Sequence, residues 1–131
     1  MRKRVILALL AFMIAGCVSS PASPASVALG EQFPLTYGQS VDIREAGFGI
    51  TFIAVAEDSR CAEGAVCVWK GNARVEISVS NIDASLNTTL EPRQMSYQGY
   101  LIRLVAVDPY PVLGEQIAPE NYVIALIVTE E

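Results

Sequence analysis

Apolar residues recur at every second position through most of the chain after Gly30, and no stretch there carries the stripe of an amphipathic helix. The alternation is plainest over residues 73–80. Val75, Ile77 and Val79 face one way there, and Arg74, Glu76, Ser78 and Ser80 the other. Residues 31–43 carry Phe33 and Leu35, a turn at Tyr37-Gly38-Gln39, and then Val41 and Ile43. Residues 47–56 set Phe48, Ile50, Phe52, Ala54 and Ala56 on one face, with Thr51, Ile53 and Val55 on the other. Apolar on both faces, this segment predicts a central strand covered on both sides. Residues 81–84 read as a polar turn, 86–90 as a short strand ended by Glu91-Pro92, and 94–97 as another before a turn at Gln98-Gly99. Residues 100–107 form a strong strand with Tyr100, Ile102, Leu104 and Ala106 on one face. The prolines at 109 and 111 stop it by removing ladder donors. Residues 112–121 read as a long loop and 122–129 as a closing strand.

The pattern amounts to about seven or eight short strands with no helix. It predicts an all-β domain, an antiparallel β-sandwich, with a small closed β-barrel as the alternative. The length of 131 residues fits one such domain, and 52% hydrophobic residues supply its core.

The first residues follow a different rule. Arg2, Lys3 and Arg4 precede an apolar run over residues 5–14, which suits the core of a signal peptide and is too short to span a bilayer. Ile14, Ala15, Gly16 and Cys17 follow. This I-A-G-C run resembles the lipobox of bacterial lipoproteins. The resemblance implies a signal peptide over residues 1–16, cleavage before Cys17, a diacylglycerol on the Cys17 sulfur and a further acyl chain on the new N-terminus. Several acyl chains hold a protein to a membrane where one does not, at about 0.8 kcal/mol per buried methylene. Val18 stands where aspartate often retains lipoproteins in the inner membrane, so an outer-membrane location is expected if the host has two membranes. Residues 17–28 then read as the lipidated cysteine and a flexible Pro/Ser/Ala tether, and 29–131 as a single β-domain.

Charge narrows the partners. After residue 30 the chain holds six basic and fourteen acidic residues, a net of −8. Such a domain does not seek nucleic acid or an anionic lipid surface. The chain has no histidine, which removes histidine-based triads and histidine metal sites.

Chemistry concentrates in residues 57–73, which hold Cys61, Cys67 and the single tryptophan. In an oxidising compartment the two cysteines predict a disulfide, and Gly64 between them permits the reversal. Closing so small a loop contributes about 2 to 2.5 kcal/mol in the chain-entropy description. The spacing differs from that of thioredoxin-type redox motifs, and two thiolates alone make a poor metal site. No cofactor and no metal is expected. Trp69 lies two residues past Cys67, so an extended segment puts both on one face. Trp69 then either packs on the disulfide and caps the core or stands partly exposed as a binding anchor. Asp58 and Ser59 suit the turn into Cys61, Arg60 suits an ion pair with Asp58 or Glu57, and Gly71-Asn72 suits a tight turn.

Residues 57–73 also resemble a motif of small bacterial secreted proteins and lipoproteins, roughly E-D-S-R-C-P-x4-C-x-W-A-G-x-A. Glu57, Asp58, Ser59, Arg60, Cys61, Cys67, Val68, Trp69, Gly71 and Ala73 match it. Ala62 stands where that family usually has proline, and Lys70 where it usually has alanine. A second pattern, Y-x-I/V-x-L-x-x-V-x-P-x-P, matches from Tyr100 to Pro111. The resemblance implies a small β-rich envelope domain without an assigned activity, and it transfers no catalytic residue.

These readings favour a lipid-anchored, non-catalytic binding or structural module of the bacterial cell envelope. The candidate patch is Asp58, Arg60, Trp69, Lys70 and Asn72, for a protein or small-molecule partner. The alternatives are an envelope enzyme using the acidic cluster Glu57, Asp58 and Glu63, and a lipocalin-like carrier with an internal ligand chamber.

Overall fold

The computed structural model describes Gly16 and residues 26–131. Cys17 and most of the expected signal peptide and tether lie outside the described residues. Nine strands follow in chain order: β1 (Ser26–Val27), β2 (Gln32–Thr36), β3 (Ser40–Ile43), β4 (Phe48–Asp58), β5 (Ala73–Val79), β6 (Ile82–Asn87), β7 (Gln94–Tyr97), β8 (Tyr100–Asp108) and β9 (Val123–Glu130). One turn of 3-10 helix, Pro119–Asn121, precedes β9. No helix among the described residues is long and apolar enough to cross a membrane.

Two sheets result, with strand orders β1-β3-β4-β5-β6 and β2-β9-β8-β7. Every pairing is antiparallel except β1 with β3. The sheets do not close on each other, so the fold is an all-β sandwich and not a barrel. Alternation explains the packing. In β5, buried and half-buried positions alternate without a break, with Val75, Ile77 and Val79 inside. They meet Leu35, Ile102, Ile124 and Leu126 of the opposite sheet in one core. Each such side chain contributes about 1.5–3 kcal/mol on full burial. The space a lipocalin-like carrier would use for a ligand is filled with these side chains.

Three differences from the expected elements have clear causes. Ser80 and Asn81 both adopt positive φ, at 47° and 67°. That makes a two-residue hairpin turn whose twist matches the flanking strands. Val79 therefore pairs directly with Ile82, and β6 begins where a longer turn was expected. β4 is central, but register shifts between Phe52 and Ala54 and between Val55 and Glu57 interrupt its alternation. Its outer face is consequently only partly covered, and Ile53 and Ala56 are exposed. Finally, Ser26 and Val27, expected in the tether, add a short parallel strand to β3, and Val27 is buried.

The register also sets the two ends of the molecule. Ser26 lies beside Asp42, which lies beside Gly49 near the start of β4. The chain leaves β4 at Asp58, nine residues on, or about 30 Å away.

Candidate functional site

The loop from β4 to β5 continues the hairpin before it departs from it. Ser59 N–H donates to the Asn72 carbonyl at 2.8 Å, and Cys61 N–H donates to the Lys70 carbonyl at 2.9 Å. The Ser59 hydroxyl bonds the Asn72 backbone as well, donating to its carbonyl and accepting from its N–H. Gly71 is required where the two arms meet. It has φ of +73°, and a Cβ there would stand 1.9 Å from the Ser59 carbonyl oxygen. Beyond these rungs, Cys61 and Cys67 form a disulfide that closes the end of the loop.

Arg60 fastens this hairpin to the other sheet. Its Nε and Nη2 donate to the two Asp58 carboxylate oxygens at 2.8 and 2.7 Å. Nη1 donates to the Val107 carbonyl at 2.6 Å and Nη2 to the Pro109 carbonyl at 3.0 Å, both at the end of β8. The guanidinium lies over the Tyr110 ring at 5.1 Å from its centre. Tyr122, at the start of β9, donates its hydroxyl to Asp58 at 2.8 Å. The Arg60 and Asp58 side chains keep only 6% and 12% of their surface exposed. Burial pushes the Asp58 carboxyl up, but the bonds from Arg60 and Tyr122 and the Arg60 charge outweigh it and hold it below the usual carboxylate range. Burial, the bond to Asp58 and the charge of Asp58 push the Tyr122 hydroxyl up to about 12.

Asn72 is equally committed. It is buried, and its amide donates to Asn87 Oδ1 at 2.9 Å. Its Oδ1 accepts the backbone N–H groups of Thr89 and Leu90 at 3.0 and 3.2 Å. Asn87 in turn donates to the Pro92 carbonyl at 3.2 Å. One asparagine pair thus shapes the segment after β6, which has no ladder of its own.

The second loop of the same end, residues 109–118, is bound to the first. Glu63 N–H donates to the Pro111 carbonyl at 2.9 Å and the Leu113 N–H to the Glu63 carbonyl at 3.0 Å, with Glu63 and Val112 in a parallel bridge. The pair forms a tip of unusual composition. Val66 and Val68 are fully exposed, Leu113 is 62% exposed and Trp69 51%, with Tyr110 and Val112 also at the surface. Eleven large apolar residues are exposed among those described, and six of them sit on these two loops. Scattered apolar residues on a surface need no explanation, but a concentration does.

The expected patch is therefore divided. Asp58, Arg60 and Asn72 are spent on internal bonds, whereas Trp69 and Lys70 face solvent. Trp69 does not cap the core as the first of its two readings required. The acidic cluster is also dispersed: Asp58 serves Arg60 and Tyr122, Glu57 lies 3.4 Å from Arg74, and Glu63 joins the loops through its backbone. Sequence reasoning missed Tyr122, Val66, Val68, Tyr110 and Leu113. The last four carried one signal, being large apolar residues in turn-rich stretches where no alternation assigns them to a core. No protein-family model, curated protein or solved structure matches the chain.

Proposed function

We propose that the protein is a lipid-anchored module of the bacterial cell envelope that binds a protein partner through the apolar tip. The concentration of Val66, Val68, Trp69, Tyr110 and Leu113 on two cross-bonded loops carries this reading. Apolar anchors held rigid before contact lose little conformational entropy on binding, which raises affinity for a given area. The disulfide, the Gly71 crossing and the Arg60 clamp all restrain the loops that bear them. The lipobox resemblance supports anchoring at Cys17. With the chain entering the fold at Ser26, at the opposite end of β4, the tip would point away from the anchoring membrane.

The test has two parts. Trp69→Ala with Val68→Ser should keep the melting temperature within a few degrees and abolish crosslinking to the partner that the wild type captures in intact envelopes. Unchanged crosslinking of that partner by a stable variant defeats the tip as the binding surface. Mass spectrometry of the membrane fraction checks the anchor, and an unmodified Cys17 refutes it.

A further inference from the structure

Beside the tip lies a groove made where the outer edge of β8 loses its neighbour. β7 pairs with β8 only as far as Gln94 with Arg103, and Leu104 N–H makes the next bond, to the Arg93 carbonyl. Past it, the segment held by Asn72 stands across from Val105 and Val107 as a wall. Two clefts result, of about 380 and 300 Å³. They share Thr88 and Val105 and so form one elongated groove. Val105 and Ala106 give the second cleft an apolar floor, whereas the first is lined mostly by polar groups and Leu104 beside it packs into the core.

Its charge runs against that of the molecule. Arg60, Lys70, Arg93 and Arg103 line it, four of the six basic residues among those described, against only Glu91 and Asp108 of fourteen acidic ones. Arg60 is already neutralised by Asp58, and Arg93 is loosely tied to Glu91 at 3.3 Å. Lys70 and Arg103 make no ion pair among the described residues. One uncommitted cation thus stands in each half of the groove, with apolar floor between.

From this arrangement we infer a second binding site, adjoining the tip at Tyr110, for an elongated ligand with a carboxylate at each end and an apolar spacer. Lys70 receives one carboxylate, Arg103 assisted by Arg93 the other, and the spacer lies on Val105 and Ala106. The two carboxylates belong either to a free linear dicarboxylate or to acidic side chains of an extended peptide.

Equilibrium dialysis of the full-length protein in detergent separates these sources. The probes are radiolabelled adipate and suberate, their monocarboxylate counterparts, and the peptide acetyl-Glu-Val-Val-Glu-amide with its glutamine analogue. We expect saturable binding of the dianionic probes that weakens with added salt. Arg103→Gln and Lys70→Gln should each lose about tenfold in affinity, a change of about 1.4 kcal/mol. Arg44→Gln, on the β3–β4 turn at the far end of the molecule, should lose nothing. Preference for the peptide assigns the site to a polypeptide, and equal or tighter binding of adipate or suberate assigns it to a small molecule. No saturable binding of either dianion, or equal loss in Arg44→Gln, overturns the inference.

Discussion

Replacing Arg60 with alanine should cost the fold about 3 kcal/mol. The substitution removes both bonds to Asp58, the bonds to the Val107 and Pro109 carbonyls, and the stacking on Tyr110. Removing one partner of a buried ion pair costs about 3–5 kcal/mol, because the remaining charge is left without its compensation. Two features place this pair at the low end. Asp58 keeps the Tyr122 hydroxyl, and the bond to Pro109 is exposed to water. For a domain of this size, 3 kcal/mol lowers the melting temperature by about 12 °C. Far-UV circular dichroism is the suitable probe, since the single tryptophan is half exposed and reports poorly on unfolding. The loss also has a pH signature. The folded Asp58 titrates below its ordinary 3.8, so its stabilisation is fully present above that value and disappears as pH falls through the lower folded value. Wild type and Arg60→Ala should therefore differ fully at pH 7 and converge in acid. A difference below about 1 kcal/mol at pH 7, the range of an exposed pair, would refute the clamp.

Three further outcomes follow from the same contacts. Tyr122→Phe should cost about 1.5–3 kcal/mol, the worth of a hydrogen bond to a charged group. It should also remove the loss of stability that the wild type shows between about pH 10 and 12, as read by urea denaturation, because a raised folded value contributes stability that is full below the unfolded value and is lost as pH rises through the folded one. Gly71→Ala should destabilise by more than about 2 kcal/mol, since a methyl group cannot occupy a point 1.9 Å from the Ser59 carbonyl, and a melting curve close to wild type would contradict the crossing geometry. Asn72→Ala should strip hydrogen-exchange protection from the amides of Thr89 and Leu90 while leaving β5 protected, at a cost of about 2–4 kcal/mol.

Much of the fold was readable along the chain because alternation is a local property. Val75, Ile77 and Val79 announce which face of β5 is buried without reference to any other strand. Where the local signal is weak, the strands are not legible along the chain. Val27 joins the fold only because β3 offers an edge to it, and nothing in the Pro/Ser/Ala stretch before it shows that. β6 began earlier than its polar residues suggested because two adjacent positive φ angles at Ser80 and Asn81 make the shortest hairpin turn. The loop residues were harder still. Asp58, Arg60, Trp69, Lys70 and Asn72 all looked like one polar patch. Whether a polar side chain serves the fold or the surface depends on what lies opposite, and for Arg60 that is Val107 and Pro109, more than forty residues away.

The sequence by itself determined the class of the molecule: strands of period two, a disulfide at Cys61 and Cys67, and an acidic domain without histidine. Only the tertiary structure decided the use of the residues between those cysteines and around them. It turned Asp58, Arg60 and Asn72 inward, where burial demands partners for every charge and amide. It left Val66, Val68 and Trp69 in water on a loop too short and too constrained to fold them back. Periodicity is written in neighbours along the chain, whereas the division between clamp and contact surface is made by a second sheet that approaches from distant sequence.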